Sequence, residues 1–257
     1  MDFSNWQETG EAVTGVTKKL WLTDGSQKGL FKFGEEWTEV IAKDIAQLLG
    51  IPCMDCEYGT YNGATGVMCY DLGGIVEFGD TMTVMTNALF DTTYSIDSIE
   101  QRINSGFILG NARLDIIKMF IFDYVIGNRD RHFGNFAIHT STGELSPLYD
   151  NAASLCYGIS AARAKAFLTD LNSLHNYAFD LMSQARIPEE RAKLLELVYY
   201  LKDRYPLVWE NVIPAFLSLQ MSDVEKVVNR FKGIVDDDIL RCIIYCVDWR
   251  LEMLKMV

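Results

Sequence analysis

The chain has 257 residues, with an apolar fraction of 49% and an aromatic fraction of 12%, which supports a full hydrophobic core and excludes general disorder. Its net charge of −12 argues against a broad basic face, so we expect neither direct nucleic-acid binding nor membrane binding. The sequence has no apolar run of about 20 residues, the length that crosses a bilayer. Residues 1–6 also lack the basic and apolar regions of a signal peptide. We therefore expect a cytoplasmic protein.

The six cysteines do not form a recognisable metal or redox site. Cys53 and Cys56 make a lone CxxC pair, with no second pair and no histidine at zinc spacing. Reduced thiols are the better interpretation for a cytoplasmic protein.

The first 70 residues predict a small sheet with one helix. Segments 19–23 and 29–33 are strand-like and are joined by a polar turn. Residues 37–49 predict a helix, because apolar side chains recur every three or four positions before Gly50. Residues 57–70 predict two further strands around a turn at Asn62 and Gly63.

Beyond residue 70 the pattern becomes mostly helical. Gly73-Gly74 and Gly79-Asp80 predict loops, and the following segments predict a short helix at 95–104 and a buried helix at 113–126. Two short strands are predicted at 136–140 and 144–149. Later segments with helical period are 161–171, 174–186, 188–203, 205–219, 222–232 and 236–255.

A set of oxygen-bearing side chains follows the buried helix. Asp130 is followed five residues later by Asn135, and Asp150 lies fifteen residues beyond that, after strand-like segments. Phosphoryl transfer needs such a set, because one carboxylate accepts the proton of the attacking hydroxyl while an Asn and an Asp hold Mg²⁺. A solvated turn would explain Asp130 alone, but the complete arrangement is far rarer by chance.

The two residues that follow Asp130 are open to more than one interpretation. Arg131 could pair with Asp150 or another loop carboxylate, or contact phosphate. His132 could act as an acid or base. A packing role that holds the segment of Asp150 is the interpretation that we favour for His132.

A kinase site also needs a lysine on a strand and a glutamate on the next helix. Lys32 lies within a predicted strand and Glu39 lies in the first turns of the predicted helix. Either residue alone would be an ordinary surface charge. Glu35 and Glu36 compete for the carboxylate role, although acidic residues are expected near a helix start for electrostatic reasons.

With these residues in hand, the chain resembles the HipA-like serine/threonine kinases, a family that includes stand-alone kinases of the CtkA type. The resemblance depends on Lys32, on the segments 127–135 and 147–151 with Ser154 and Leu155, and on the helix 39–52. It covers about residues 12–160. It implies an α+β, two-lobed protein-kinase-like fold, with a small β-rich N-lobe at 1–70 and a larger, mostly helical C-lobe at 71–257.

The resemblance also implies a role for each site residue. Asp130 would be the catalytic base, Asn135 and Asp150 would be the Mg²⁺ ligands, and Lys32 would bind ATP with Glu39 as its partner. The implied phosphate loop consists of Gly15, Val16, Thr17 and Lys18. The implied hinge strand, whose backbone would bind adenine, contains Met68, Cys69 and Tyr70. Self-phosphorylation on Thr14 or Thr17 would make a phosphate clash with bound nucleotide.

We therefore expect an ATP- and Mg²⁺-dependent kinase that phosphorylates Ser or Thr of a protein substrate. The motifs begin near residue 12, so the extra N-terminal domain of full-length HipA toxins is not expected within this chain. A toxin with an antitoxin or a separate N-terminal-domain chain as partner, and an effector delivered to a host cell, both fit. The alternatives are a phosphoinositide or small-molecule kinase, a nucleotide-binding pseudokinase scaffold, and a purely structural helical domain.

Overall fold

The computed structural model describes residues 1–13, 18–78, 94–104, 110–187 and 190–257. Strands prevail up to residue 77 and helices prevail from residue 96 onward, so the predicted α+β class is confirmed. The elements in chain order are β1 (Gln7–Glu8), β2 (Lys19–Thr23), β3 (Lys28–Phe33), α1 (Trp37–Leu48), β4 (Cys56–Tyr61), β5 (Ala64–Tyr70), β6 (Ile75–Glu77), α2 (Ile96–Asn104), α3 (Ala112–Ile126), β7 (Ala137–His139), α4 (Ala161–Thr169), α5 (Leu171–Phe179), β8 (Met182–Arg186), β9 (Arg191–Lys193), α6 (Leu194–Arg204), α7 (Pro206–Leu217), α8 (Met221–Asn229) and α9 (Asp237–Met256).

The largest sheet is antiparallel and has the strand order β1-β2-β3-β5-β4. Two tight turns fix its register. In the turn between β2 and β3, the Asp24 carboxylate accepts backbone hydrogen bonds from Ser26 and Gln27, each at 2.8 Å. Between β4 and β5, Asn62 and Gly63 both have positive φ, as a two-residue hairpin turn that matches the strand twist requires.

Side-chain alternation divides the residues of this sheet between two apolar clusters. On one face, Phe31 and Met68 pack with Leu22 and Phe3. On the other face, Val67 and Cys69 belong to the main core, which also contains the inner side of α1 and most of the helices. Neighbouring residues of β5 therefore project their side chains to opposite sides.

The α3 helix runs through the centre of the helical part. Its apolar residues surround the helix axis, as expected for a helix buried on all sides. It contacts α2, α6, α7 and α9. This rigid surrounding fixes the position at which the helix ends, immediately before the segment that contains Asp130.

The end of α3 requires a glycine at position 127. Gly127 has φ of 68°, a left-handed conformation that stops the helix. A Cβ atom at this position would lie 2.7 Å from the Arg250 guanidinium. Arg250 itself donates hydrogen bonds to the carbonyls of Val125 and Ala178, and thereby fastens the end of α3 to α5 and α9.

Three sequence predictions differ from the structure. The helix predicted at 174–186 ends at Phe179 in α5, and the hairpin of β8 and β9 follows it. The helix predicted at 188–203 begins only at Leu194, as α6. The predicted strand at 144–149 has only two isolated bridges, from Leu145 to Ile138 and from Leu148 to Cys53. Strand β7 pairs instead with β6, which lies more than 60 residues earlier in the chain, and a local pattern cannot show such a distant pairing.

Among the described residues, no helix combines the length and the apolar character that a membrane span requires. The division into lobes at residues 70 and 71 stays a prediction. The predicted loop at 79–80 lies outside the described residues.

Candidate active site

The segment after α3 is held in place by a buried arginine. Arg131 forms an ion pair with Asp123 of α3, with Nε 3.0 Å from Oδ2 and Nη2 3.0 Å from Oδ1. The same guanidinium donates hydrogen bonds to the carbonyls of Asn135 and Tyr149 and to the side-chain oxygen of Asn151. Arg131 therefore ties the loop of Asp130 and Asn135 to the segment of Asp150. The sequence left the partner of Arg131 open between Asp150, another loop carboxylate and phosphate. In the structure its partner is the carboxylate of Asp123 on α3.

Burial and charge act together on this pair. Burial raises the pKa of Asp123, although Arg131 opposes that effect. Burial by itself would lower the pKa of Arg131, but the Asp123 carboxylate outweighs burial and holds that pKa above its ordinary value. Two opposite charges of this kind, removed from water, must stay together.

Asp130 lies half-buried in a loop that its neighbours order through the backbone. Its amide donates to the side-chain oxygen of Asn128 at 3.1 Å, and its carbonyl accepts from Asn135 Nδ2 at 2.8 Å. The carboxylate contacts a distant element, because Gln184 Nε2 on β8 donates to Oδ1 at 3.3 Å. The side-chain amide of Asn135 thus turns its nitrogen toward the Asp130 backbone, which leaves its oxygen to act as a ligand.

His132 differs from the interpretation favoured on sequence. Its side chain is exposed and its Nδ1 accepts a hydrogen bond from the Gly134 amide at 3.0 Å. The contacts that hold the Asp150 segment come from Arg131 instead.

Lys32 lies between two carboxylates that come from distant parts of the chain. Its Nζ is 2.7 Å from Asp150 Oδ1 and 3.8 Å from Glu39 Oε2. Glu39 is buried, its Oε1 accepts from Asn151 at 3.4 Å, and its Oε2 accepts no hydrogen bond from any described residue. The structure brings Lys32, Glu39 and Asp150 together, with Asp150 as the nearer partner of Lys32.

The charges of this group depend on one another. Burial by itself would lower the pKa of Lys32, but Glu39 and Asp150 hold it well above its ordinary value. Burial would raise the pKa of Asp150, yet Lys32 keeps it below its ordinary value. Asp150 also has φ of 55°, an uncommon left-handed conformation for a residue other than glycine. Such outliers occur most often at functional sites.

Lys32, Asn135 and Asp150 line one cavity of about 510 Å³. Polar groups converge at one end, while Leu30, Trp21 and other apolar side chains line the rest. A cavity of this size with a few convergent polar groups is typical of small-molecule sites.

The predicted hinge strand is only partly at this cavity. Cys69 and Tyr70 line it, whereas Met68 lies in the apolar cluster on the opposite face of the sheet. The backbone of β5 is paired with β3 on one side and with β4 on the other. Leu72 also lines the cavity, and its backbone amide and carbonyl form no hydrogen bond with a described residue.

The predicted phosphate loop falls mostly outside the described residues, because Gly15, Val16 and Thr17 belong to 14–17. Lys18 is described and exposed, and its Nζ lies 4.4 Å from the centre of the Phe33 ring. Val13 and Lys19, which flank residues 14–18, line the cavity. The contact of the predicted phosphate loop with phosphate stays a prediction.

Glu36, an alternative to Glu39 on sequence, is buried at the start of α1. No ion pair within 4.0 Å joins it to Lys32, so Glu39 is the closer glutamate. Burial raises the pKa of Glu36, and the nearby Glu39 and Asp150 add to that effect while Lys32 opposes it.

We expect Glu36→Gln to stabilise the fold at neutral pH. A carboxyl with a raised folded-state pKa favours folding below its unfolded-state pKa of about 4.3, and that contribution is lost as the pH rises through the folded-state value. The gain from glutamine should therefore shrink below about pH 4. Urea unfolding at neutral pH and below about pH 4 measures the gain in unfolding free energy, and Glu225→Gln on α8 is the control. An equal gain at the two pH values would contradict the raised pKa of Glu36.

Three contributors were not found by reading the sequence: Gln184, Leu72 and Asn151. Gln184 lies in a hairpin that has helical period in the sequence, and it is 54 residues from Asp130. Leu72 carries no functional group in its side chain. Asn151 follows Asp150 in the segment 147–151, but the sequence did not indicate a contact for its side chain. Its amide nitrogen donates to Glu39 and its oxygen accepts from Arg131.

The family of the chain follows from a comparison with protein-family models. The model described as the HipA-like C-terminal domain matches residues 12–207. The chain belongs to this HipA-like family. The resemblance inferred from the sequence is therefore confirmed. Comparison with the curated proteins gave no match.

Solved structures confirm the predicted kinase-like fold. The proinflammatory kinase CtkA of Helicobacter pylori matches with a TM-score of 0.80 and 18% sequence identity, over 97% of this chain and 93% of CtkA. HipA of Shewanella oneidensis MR-1, solved with HipB and operator DNA, matches with a TM-score of 0.40 and 14% identity, over 99% of this chain and 69% of HipA. At this identity, the likeness to CtkA concerns the fold.

Proposed function

We propose that this HipA-like protein is an ATP- and Mg²⁺-dependent kinase that transfers the γ-phosphoryl group to a Ser or Thr hydroxyl of a protein. The observation that carries the proposal is the position of Lys32, whose buried ammonium lies between Glu39 and Asp150 at a cavity that also contains Asn135. A lysine, a helix glutamate, and an Asp and Asn pair around one cavity are what binding of nucleotide phosphates requires.

The residues fit Mg²⁺ and nucleotide. Asp150 presents a carboxylate and Asn135 an amide oxygen to the same cavity, and Mg²⁺ in kinases is held by few such oxygens together with phosphate and water. When bound, Mg²⁺ would neutralise the phosphate charge. Glu39 Oε2 already lies 3.8 Å from Lys32 Nζ and accepts no hydrogen bond from a described residue, so it would offer Lys32 a closer partner when Asp150 binds metal.

Asp130 would accept the proton of the acceptor hydroxyl, while the loop that Arg131 holds keeps its carboxylate in place.

For adenine we propose the backbone of Leu72, because its amide and carbonyl are unpaired within the described part of the chain, together with the side chains of Cys69 and Tyr70. The backbone of Met68 already pairs with two strands. Self-phosphorylation at Thr14 or Thr17 remains part of the proposal.

Mg²⁺-ATP should raise the melting temperature by about 5–10 °C when its concentration is near 100 times its Kd. We expect Lys32→Met to weaken nucleotide binding about 10- to 100-fold, because it removes a charged hydrogen bond to phosphate. Thermal shift titration with and without Mg²⁺ measures both effects, and Lys226→Met, on the exposed face of α8, is the control. A shift that does not depend on Mg²⁺ or on Lys32 would refute the site.

An assay of phosphate transfer distinguishes a protein kinase from a lipid kinase and from a pseudokinase scaffold. Transfer of labelled phosphate from ATP to proteins of a lysate supports a protein kinase, while transfer only to a lipid panel supports a lipid kinase. A thermal shift without any transfer supports a pseudokinase scaffold. Within the kinase proposal, an antitoxin or a separate N-terminal-domain chain is a candidate partner, and the physiological role is that of a toxin or of an effector that acts in the cytoplasm.

A further inference from the structure

A second cavity, of about 420 Å³, contains Asp130. The cavity of Lys32 contains Asn135 and Asp150 but not Asp130, so the loop 130–135 separates the two. A general base must contact the hydroxyl that it deprotonates. If the proposed kinase function holds, on which this step rests, the acceptor enters through the second cavity. We call it the acceptor cleft, and its polar lining residues are Arg129, Asp130, Tyr157, Asp180, Gln184 and Arg191.

Two arginines in the acceptor cleft have guanidinium nitrogens without a partner in the described part of the chain. The Arg129 side chain is exposed and forms no hydrogen bond or ion pair there. Arg191 uses Nε to donate to the Ser183 carbonyl at 3.0 Å, and its terminal nitrogens form no ion pair with a described carboxylate.

The carboxylates of the cleft do not cancel these charges. Asp180 is paired with Lys193, with Nζ 2.7 Å from Oδ1. Asp130 accepts from Gln184, which is uncharged, and the Asp130 carboxylate lines the same cavity as the two arginines. Because Lys193, which lies outside the cleft lining, neutralises Asp180, Arg129 and Arg191 exceed the remaining lining carboxylate, Asp130, by one positive charge, on a chain whose net charge is −12.

We propose that the acceptor cleft selects a Ser or Thr flanked by acidic residues. Guanidinium groups bind carboxylates through two parallel hydrogen bonds, a geometry that lysine does not provide. The half-buried Tyr157 and the partly exposed Met182 supply apolar surface for the rest of the segment. The specificity residues are Arg129 and Arg191, while Gln184 positions the carboxylate of Asp130.

The test uses short fluorescent peptides that differ only in the residues around a central Ser: aspartate, alanine or lysine. A fourth peptide has the aspartate flanks and Ala in place of Ser, so that binding is measured without turnover. Fluorescence anisotropy at low ionic strength should show about two- to thirtyfold tighter binding of the aspartate peptides than of the alanine peptide, as expected for two exposed ion pairs. The double variant Arg129→Glu/Arg191→Glu should prefer the lysine peptide instead.

Arg163→Glu is the matched control, because Arg163 is an exposed arginine on α4 outside both cavities. It should keep the preference for aspartate flanks. Equal binding of all peptides to the wild-type chain would overturn the inference. An equal loss of preference in the control would overturn it too, since it would indicate a general effect of surface charge. The comparison of peptides on the wild-type chain does not depend on whether the double variant folds.

Transfer from labelled ATP to the Ser peptides distinguishes the two proposals. Transfer that is indifferent to the flanking charge refutes the acceptor cleft and supports the kinase. Tighter binding of the aspartate-flanked peptides than of the alanine- and lysine-flanked peptides, without transfer to any hydroxyl, refutes the kinase and supports the cleft as a site for acidic segments.

Discussion

Asp130→Asn should lower phosphoryl transfer by about 10²- to 10⁴-fold, the usual contribution of a positioned general base. Asparagine has nearly the same shape and still offers an oxygen to Gln184, which donates to Oδ1. The backbone contacts of position 130 with Asn128 and Asn135 do not involve its side chain. The variant should therefore fold and bind Mg²⁺-ATP as the wild-type chain does, and lose only the proton acceptor.

Initial rates with labelled ATP and a phosphorylated protein or peptide measure this loss, and the thermal shift with Mg²⁺-ATP measures binding on the same samples. Asp223→Asn is the matched control, because Asp223 is an aspartate on α8 that pairs only with Lys226 among the described residues. If Asp130→Asn keeps the full rate, the proposed mechanism is wrong. If it loses both rate and nucleotide binding, the role of Asp130 is structural.

The β-hairpins and the long helices could be predicted because their signals are local. Apolar spacing predicted α1 and α3 to within one residue at most ends, and Asn62 with Gly63 predicted the turn between β4 and β5. The hairpin of β8 and β9 was missed because its buried positions are Ser183 and Ala185, small residues that give no apolar alternation. Its flanking residues instead fit a helical period.

The site could be predicted where chemistry demands particular residue types. Lys32 and Asp150 are 118 residues apart in the chain, and only the requirements of phosphoryl transfer linked them before the structure was known. The ion pair between Arg131 and Asp123 could not be predicted in this way, because phosphoryl transfer does not require it and many carboxylates could have paired with Arg131. Met68 was assigned to the hinge for its backbone, and nothing in the sequence indicated that this stretch of β5 lies between β3 and β4, which both pair with it.

Breaking the buried pair of Asp123 and Arg131 should cost about 3–5 kcal/mol of unfolding free energy. Asp123→Ala leaves the Arg131 guanidinium buried without its counter-charge. Arg131→Met leaves a buried carboxylate and also removes the donor to the carbonyls of Asn135 and Tyr149. Because the total stability of a domain is about 5–15 kcal/mol, either substitution should make the fold marginal.

A double-mutant cycle separates the pair from its surroundings. The double variant Asp123→Ala/Arg131→Met removes both charges, so its cost should fall below the sum of the single costs by about 0.5–3 kcal/mol. Urea unfolding supplies the free energies. The exposed pair of Asp238 and Arg241, three residues apart on α9, is the control, and its coupling should be about 0.3–0.5 kcal/mol.

The remaining cost of the double variant is informative about the site. The two carbonyls and the Asn151 side chain would stay without their donor, and each unsatisfied buried group costs about 1–3 kcal/mol. Nucleotide binding should therefore weaken in the double variant even where it remains folded, since Asn135 and Asp150 lose their common support. Additive single costs, or a double variant with normal Mg²⁺-ATP binding, would show that Arg131 does not hold the two segments together.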